Sequence, residues 1–85
     1  MPEISRFLGI IIYLNFKEHN PPHFHARYGD FKIVVQIETG IVEGKFPKRA
    51  LSHVLEWYEI HKQELLQNWY SIEATGDFTK INPLE

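Results

Sequence analysis

His23-Phe24-His25-Ala26-Arg27-Tyr28-Gly29-Asp30-Phe31-Lys32-Ile33-Val34-Val35-Gln36-Ile37-Glu38 is two alternating runs joined by a glycine turn. Phe24, Ala26 and Tyr28 alternate with His23, His25 and Arg27. Phe31, Ile33, Val35 and Ile37 alternate with Lys32, Val34, Gln36 and Glu38. Alternation at period two is the mark of a half-buried strand. Gly29-Asp30 fits a two-residue hairpin turn, with Gly supplying the positive φ. That turn sets Tyr28 opposite Phe31, Ala26 opposite Ile33 and Phe24 opposite Val35. Directly opposed residues share a face, and all six are apolar, so the register buries one face. The other face pairs Arg27 with Lys32, His25 with Val34 and His23 with Gln36.

The rest of the chain extends from this hairpin. Before it, Lys17 to Pro22 is a polar loop closed by Pro-Pro, which has no place inside a sheet. Phe7 to Phe16 is rich in β-branched and aromatic residues and reads as a first strand, apolar on both faces. After the hairpin, Thr39-Gly40 turns into a strand over 41–45. This sets Glu43 beside Gln36 and Lys45 beside Val34 on the polar face, with Glu43 on the order of 10 Å from His23 at the backbone. Pro47 opens a helix. Leu51, Leu55, Tyr58, Leu65, Trp69 and Ile72 mark its apolar stripe, with a break near His61 where Lys62 interrupts it. Gly76 stops it. The expected fold is α+β: strands at 7–16, 23–28, 31–38 and 41–45, giving a small antiparallel sheet of three to four strands. One long or two consecutive helices over 47–75 cover the sheet's apolar face, and a tail at 77–85 holds one short extended piece, Phe78-Thr79-Lys80-Ile81.

Composition bounds the function classes. The 85 residues are read as one whole domain, 44% hydrophobic and 14% aromatic, as in globular chains. There is no cysteine, which excludes disulfide frameworks and thiolate metal sites. A net charge of −2 gives no global basic bias toward nucleic acid, although a local patch is compatible with it. The start, Met1-Pro2-Glu3-Ile4-Ser5-Arg6, lacks the order of a signal peptide. Phe7 to Leu14 is too short to span a bilayer. A cytoplasmic location is the default expectation, with no membrane partner.

His19-x-x-x-His23-x-His25 is the conspicuous motif. His23 and His25 project from one strand face, about 6.6 Å apart at the backbone, a spacing that lets both reach one ion. Imidazoles are common ligands of zinc and other transition metals. His19 completes a three-histidine set if the Pro-Pro turn folds back, and Glu18 or Asp30 offers an oxygen ligand. A second reading is acid–base chemistry on a phosphodiester, with His23 and His25 moving protons and Arg27 binding the anion. Lys32 and Lys45 share that face, with Lys48 and Arg49 just beyond at the helix start, as phosphate or nucleic-acid binders. Against both stands the bland alternative of solvated, hydrogen-bonded polar-face residues. His53 and His61 read as structural. Trp57 and Trp69 read as core or interface anchors. In a simple strand order the first strand lies at an edge, so its apolar surface calls for its own tail, a partner or a second copy of the chain.

Several segments together carry a family likeness. They are Met1-Pro2-x-Ile4-Ser5-Arg6-Phe7, Gly9-Ile10, His19-x-Pro21-Pro22-His23-Phe24-His25, Tyr28-Gly29, Pro47-x-Arg49-Ala50-Leu51, Leu55-Glu56-Trp57, His61-Lys62-x-Glu64-Leu65-x-x-Asn68-Trp69 and Ile81-x-Pro83-Leu84. In these the chain resembles, essentially end to end, the small prokaryotic family called domain of unknown function 4160. The resemblance implies no activity. It implies a neighbouring small protein of the family domain of unknown function 2442, in the manner of a toxin–antitoxin pair. The resulting expectation is a toxin-like component, a ribonuclease or other hydrolase, acting on RNA or another phosphate-bearing target through the histidine–basic face. A divalent transition metal such as zinc is its expected cofactor. The rival expectations are a non-catalytic antitoxin-like or adaptor module and a stand-alone metal-binding protein.

Overall fold

Alternating apolar residues in the first half of the chain build one antiparallel sheet, whose inner face is closed by a single helix. A computed structural model describes residues 2–85 of the chain; Met1, part of the family likeness, lies outside them. The strands are β1 (Glu3–Phe7), β2 (Ile10–Tyr13), β3 (His23–Tyr28), β4 (Phe31–Gln36) and β5 (Val42–Lys45), and the helix is α1 (Lys48–Thr75). The sheet order is β1-β2-β3-β4-β5, each strand antiparallel to its neighbour. The expected α+β architecture is therefore present, with one strand more than expected.

The additional strand comes from the segment read as a single strand over 7–16. Leu8 and Gly9 take positive φ values of 51° and 80° and turn the chain, so Phe7 pairs with Ile10 and Arg6 with Ile11. Two successive left-handed residues give the turn that matches strand twist. Leucine is an unfavourable residue there, which concealed the turn inside an apolar run. The central hairpin has the expected register throughout, from Tyr28 opposite Phe31 to His23 opposite Gln36. β4 ends at Gln36, two residues before the expected end, because Ile37 to Thr39 already form the next turn. This longer turn shifts β5 by two residues, so that Glu43 lies opposite Val34 rather than Gln36 and Lys45 opposite Lys32 rather than Val34.

Alternation sends Phe7, Ile10, Ile12, Phe24, Ala26, Ile33 and Val35 inward to the core, and the irregularity in β1 between Glu3 and Ser5 adds Ile4. The helix meets them with Ala50, Val54, Trp57 and Tyr58 in its first half, then Leu65, Asn68, Trp69 and Ile72. Leu51 and Leu55, expected in the stripe, are only half-buried. The bulky Trp57 occupies the inner side instead, with its ring 5.5 Å from Phe7 and 5.9 Å from Phe24. The helical phase resets at His61, which has non-helical φ and ψ of −112° and 19°, at the break the sequence placed there. Gly76, with φ 81°, ends the helix in the left-handed conformation and donates its N–H to Ile72 O at 2.9 Å.

The tail is not a strand, but it is tied down. Trp57 Nε1–H donates to Asn82 O at 2.8 Å, and Asn68 exchanges hydrogen bonds with the Thr79 backbone at 2.8 and 2.9 Å. Ile81 N–H donates to Ile4 O at 2.8 Å. The apolar edge for which the sequence called for a cover is thus held by β1 and the chain's own tail. Among the described residues, no helix is long and apolar enough to cross a membrane.

Candidate metal centre

The outer face of the sheet carries the side chains that alternation turns away from the core. Tyr13 lies opposite His25, and His25 opposite Val34. His23 lies opposite Gln36. The loop after β2 brings two further polar residues onto this face. Its chain reverses at Phe16-Lys17, where Lys17 has φ 59°. Asn15 and Glu18 then reach the histidines.

Glu18 Oε1 is the hub of the cluster. It lies 2.5 Å from His25 Nε2, 2.9 Å from Asn15 Nδ2 and 3.5 Å from His23 Nε2. Asn15 Nδ2 also stands 3.3 Å from His25 Nε2. His25 is held from behind by Tyr13, whose ring stacks on it at 5.0 Å and 10°. His23 is held by Trp69, at a ring separation of 5.0 Å, and meets His25 edge-on at 5.3 Å. Each imidazole is mostly shielded, with side chains 12% and 16% exposed for His23 and His25.

Hydrogen bonding assigns the tautomer of His23. Its Nδ1 is 2.8 Å from Pro21 O. A carbonyl only accepts, so Nδ1 carries the proton and donates. In the neutral ring, Nε2 is then a lone pair directed at Glu18. A backbone carbonyl that fixes the far ring nitrogen is the usual support of a metal-binding imidazole. Burial raises the Glu18 carboxyl pKa. The hydrogen bonds from His25 and Asn15, with the charges of His25 and His23, outweigh burial and hold it below the ordinary carboxylate value. The result is an anion placed between two imidazoles.

One donor atom each from Glu18, His23 and His25 lies within 4.8 Å of the other two. Two imidazole nitrogens and one carboxylate oxygen suit zinc or another first-row transition metal. At metal–ligand bonds of roughly 2.0–2.1 Å, tetrahedral donors sit roughly 3.3 Å apart. The 3.5 Å separation of His23 and Glu18 fits. The 2.5 Å contact of His25 and Glu18 is a proton-sharing distance, which a metal would replace by displacing the proton.

His19, expected as a third imidazole, is exposed and outside this cluster, and Glu18 stands in its place. Asp30 sits in the β3–β4 turn, at the far end of the hairpin. Arg27, Lys32 and Lys45 form one row across β3, β4 and β5 on the same outer face, one row along from His25, Val34 and Glu43. Arg49 instead lines a cavity with Leu8, Tyr28, Pro47, Ala50 and His53. That cavity borders Tyr28, five residues along β3 from His23, or roughly 17 Å. Lys48 precedes Arg49 at the start of the helix and is likewise remote from the histidines. Tyr13, Asn15 and Trp69 had no signal in the sequence as site residues. Trp69 is a helix residue distant in sequence, brought beside His23 by the packing after the kink.

The sequence model of the family described as "Domain of unknown function (DUF4160)" matches residues 9–70. The matched segment contains Glu18, His23, His25 and Trp69, together with the whole cationic row. No curated protein and no solved structure matches the chain significantly.

Proposed function

Given that this chain belongs to the domain of unknown function 4160 family, a premise that assigns no chemistry, we propose that it is a metal-dependent hydrolase acting on RNA or another phosphate-bearing target, through Glu18, His23 and His25. The observation that carries this reading is the convergence of two imidazole nitrogens and a carboxylate oxygen within 4.8 Å. The carbonyl lock on His23 Nδ1 supports it, because that lock prepares Nε2 as a ligand. Three protein ligands leave a coordination position for water, whose pKa a bound zinc lowers to about 7. Arg27, Lys32 and Lys45 on the same face supply positive charge to hold a phosphate-bearing substrate nearby. A toxin-like role in a two-protein module, with a small domain of unknown function 2442 protein as partner, is the cellular setting that fits such an activity.

A metal-free reading has one observation of its own, the 2.5 Å contact between His25 and Glu18. A carboxylate bound so closely orients an imidazole for proton transfer, as general acid–base catalysis requires. One experiment separates the two. The purified chain is stripped with a chelator and assayed for RNA cleavage before and after addition of zinc, manganese or cobalt. Cleavage restored by metal supports the metal centre, and cleavage unaffected by chelation supports acid–base chemistry. If His23→Ala/His25→Ala leaves cleavage and growth inhibition intact in a folded protein, both readings are wrong.

A further inference from the structure

The two edges of the sheet are treated differently by the fold. β1 is bound by the tail through Ile81 and Ile4. β5 is the other edge and has β4 as its only strand neighbour among the described residues. Gln36 N–H donates to Ile41 O at 2.9 Å, and Val34 pairs with Glu43 and Lys32 with Lys45. By alternation, Ile41, Glu43 and Lys45 bond to β4, while the backbone groups of Val42 and Gly44 face away from the sheet. An edge with outward N–H and C=O groups is a template for another strand.

The charges on the outer face identify the occupant. Arg27, Lys32 and Lys45 lie directly opposite one another in one row, with no anion between them. None of the three makes a salt bridge among the described residues. Like charges in direct opposition destabilise a sheet, so this row lacks a counter-charge at its open end. The neighbouring row ends at the same edge on Glu43, beside the apolar Val34.

We propose that β5 pairs with β5 of a second copy of this chain, antiparallel about a two-fold axis through Gly44. Only a few registers pair outward-facing backbone groups with each other. An axis at Glu43 opposes two glutamates, and an axis at Lys45 opposes two lysines. An axis at Val42 sets Glu43 against Ile41. The axis at Gly44 sets each Glu43 against the other copy's Lys45, and Val42 against Phe46. Each copy then closes the other's cationic row with an anion, twice, as an isologous interface requires. Gly44 is required within its own sheet: it has φ 107°, and a Cβ there would come within 2.5 Å of Lys32 O of β4. Main-chain pairing supplies the contact and the charges set the register.

The pairing rests on the edge geometry and the charges along it, and not on the metal site. Joined to the metal-site reading, it deepens that reading. The row Tyr13–His25–Val34–Glu43 would continue into Lys45, Lys32 and Arg27 of the second copy. A phosphate-bearing chain laid across the joined sheet would meet the histidine site of one copy and the cations of the other. The first of these cations lies roughly 14 Å from His25 at a strand spacing of about 4.8 Å.

The test is the oligomeric state, measured by sedimentation velocity on the full chain from about 1 to 100 μM, which brackets ordinary weak-dimer affinities. The wild type is expected as a dimer of the 10.1 kDa chain at the upper end. Glu43→Lys and Lys45→Glu are each expected to weaken the dimer by about tenfold or more, since both symmetric pairs become repulsive. Combining Glu43→Lys with Lys45→Glu is expected to restore it. Lys45→Glu faces Lys32 within its own sheet, so it relieves repulsion in the monomer, and its loss of dimer would not reflect unfolding. A wild type monomeric throughout, single variants that dimerise like wild type, or a folded double variant that stays monomeric would each overturn the proposal. None of these outcomes depends on metal or RNA.

Discussion

Replacing Glu18 with Gln tests the metal centre with least disturbance to the fold. The amide keeps the length of the side chain and an oxygen for Asn15 Nδ2, now at 2.9 Å. It loses the charge that faces His25 Nε2 at 2.5 Å and His23 Nε2 at 3.5 Å. In the metal-free protein, a charge-assisted hydrogen bond becomes a neutral one, a loss of about 1 kcal/mol. For a domain of this size, that lowers Tm by about 4–8 °C. The metal-bound protein should respond far more. Loss of an outer hydrogen-bond partner already weakens metal sites about 10–100-fold, so loss of one of three ligands should cost at least about 100-fold. With zinc at 100 times its Kd, the wild type gains about 2.7 kcal/mol, or about 10–20 °C in Tm. The variant at the same zinc concentration gains about 0.4 kcal/mol, or about 2–3 °C. Thermal denaturation followed by circular dichroism, in zinc and in chelator, measures all four states. A wild-type Tm unmoved by zinc, manganese or cobalt would refute the reasoning, as would a Glu18→Gln variant with the full wild-type shift.

The remaining predictions address acid stability, the β1–β2 turn, the tail and nucleic-acid binding. The Glu18 carboxyl lies below its ordinary value in the fold, so its contribution is complete above the unfolded-state value and is lost as pH falls through the folded one. In chelator, urea midpoints of the wild type should therefore fall on acidification through the carboxylate range more steeply than those of Glu18→Gln; parallel curves would contradict the assignment. Leu8→Asn should raise stability by about 1 kcal/mol, because Leu8 holds φ 51° while 61% exposed and Asn tolerates that conformation; an unchanged or lower Tm would show that Leu8 contributes packing. Asn68→Ala should cost about 2–3 kcal/mol, since Thr79 loses partners for both its N–H and its C=O, and hydrogen exchange should report a loosened tail. If RNA lies on the cationic row, Arg27→Gln and Lys32→Gln should each reduce the salt dependence of RNA binding by about one phosphate contact, as read from filter-binding titrations at several salt concentrations.

The sequence by itself determined the central hairpin, residue by residue, because alternation at period two and one glycine turn leave a single register that buries an apolar face. It also determined the face shared by His23, His25, Arg27 and Lys32, since face follows from register; Lys45 keeps that face only because β5 is displaced from its expected register by two residues, an even number. The helix, its stop at Gly76 and its break at His61 were legible from apolar spacing and the interruption at Lys62. The turn at Leu8-Gly9 was not, because a leucine held in the left-handed region gives no local sign of it. The buried phase of the first half of the helix was set by the fit of Trp57 against Phe7 and Phe24, which is a matter of packing rather than of period. The site itself was divided between the two. Histidine spacing along a strand placed two ligands, and only the tertiary structure chose Glu18 over His19 as the third. That choice depends on how the loop between β2 and β3 folds back over the sheet, and loop paths are set by contacts distant in sequence rather than by local preference. Trp69 belongs to the same class. It reaches His23 only because the helix, once broken at His61, closes the sheet at that end.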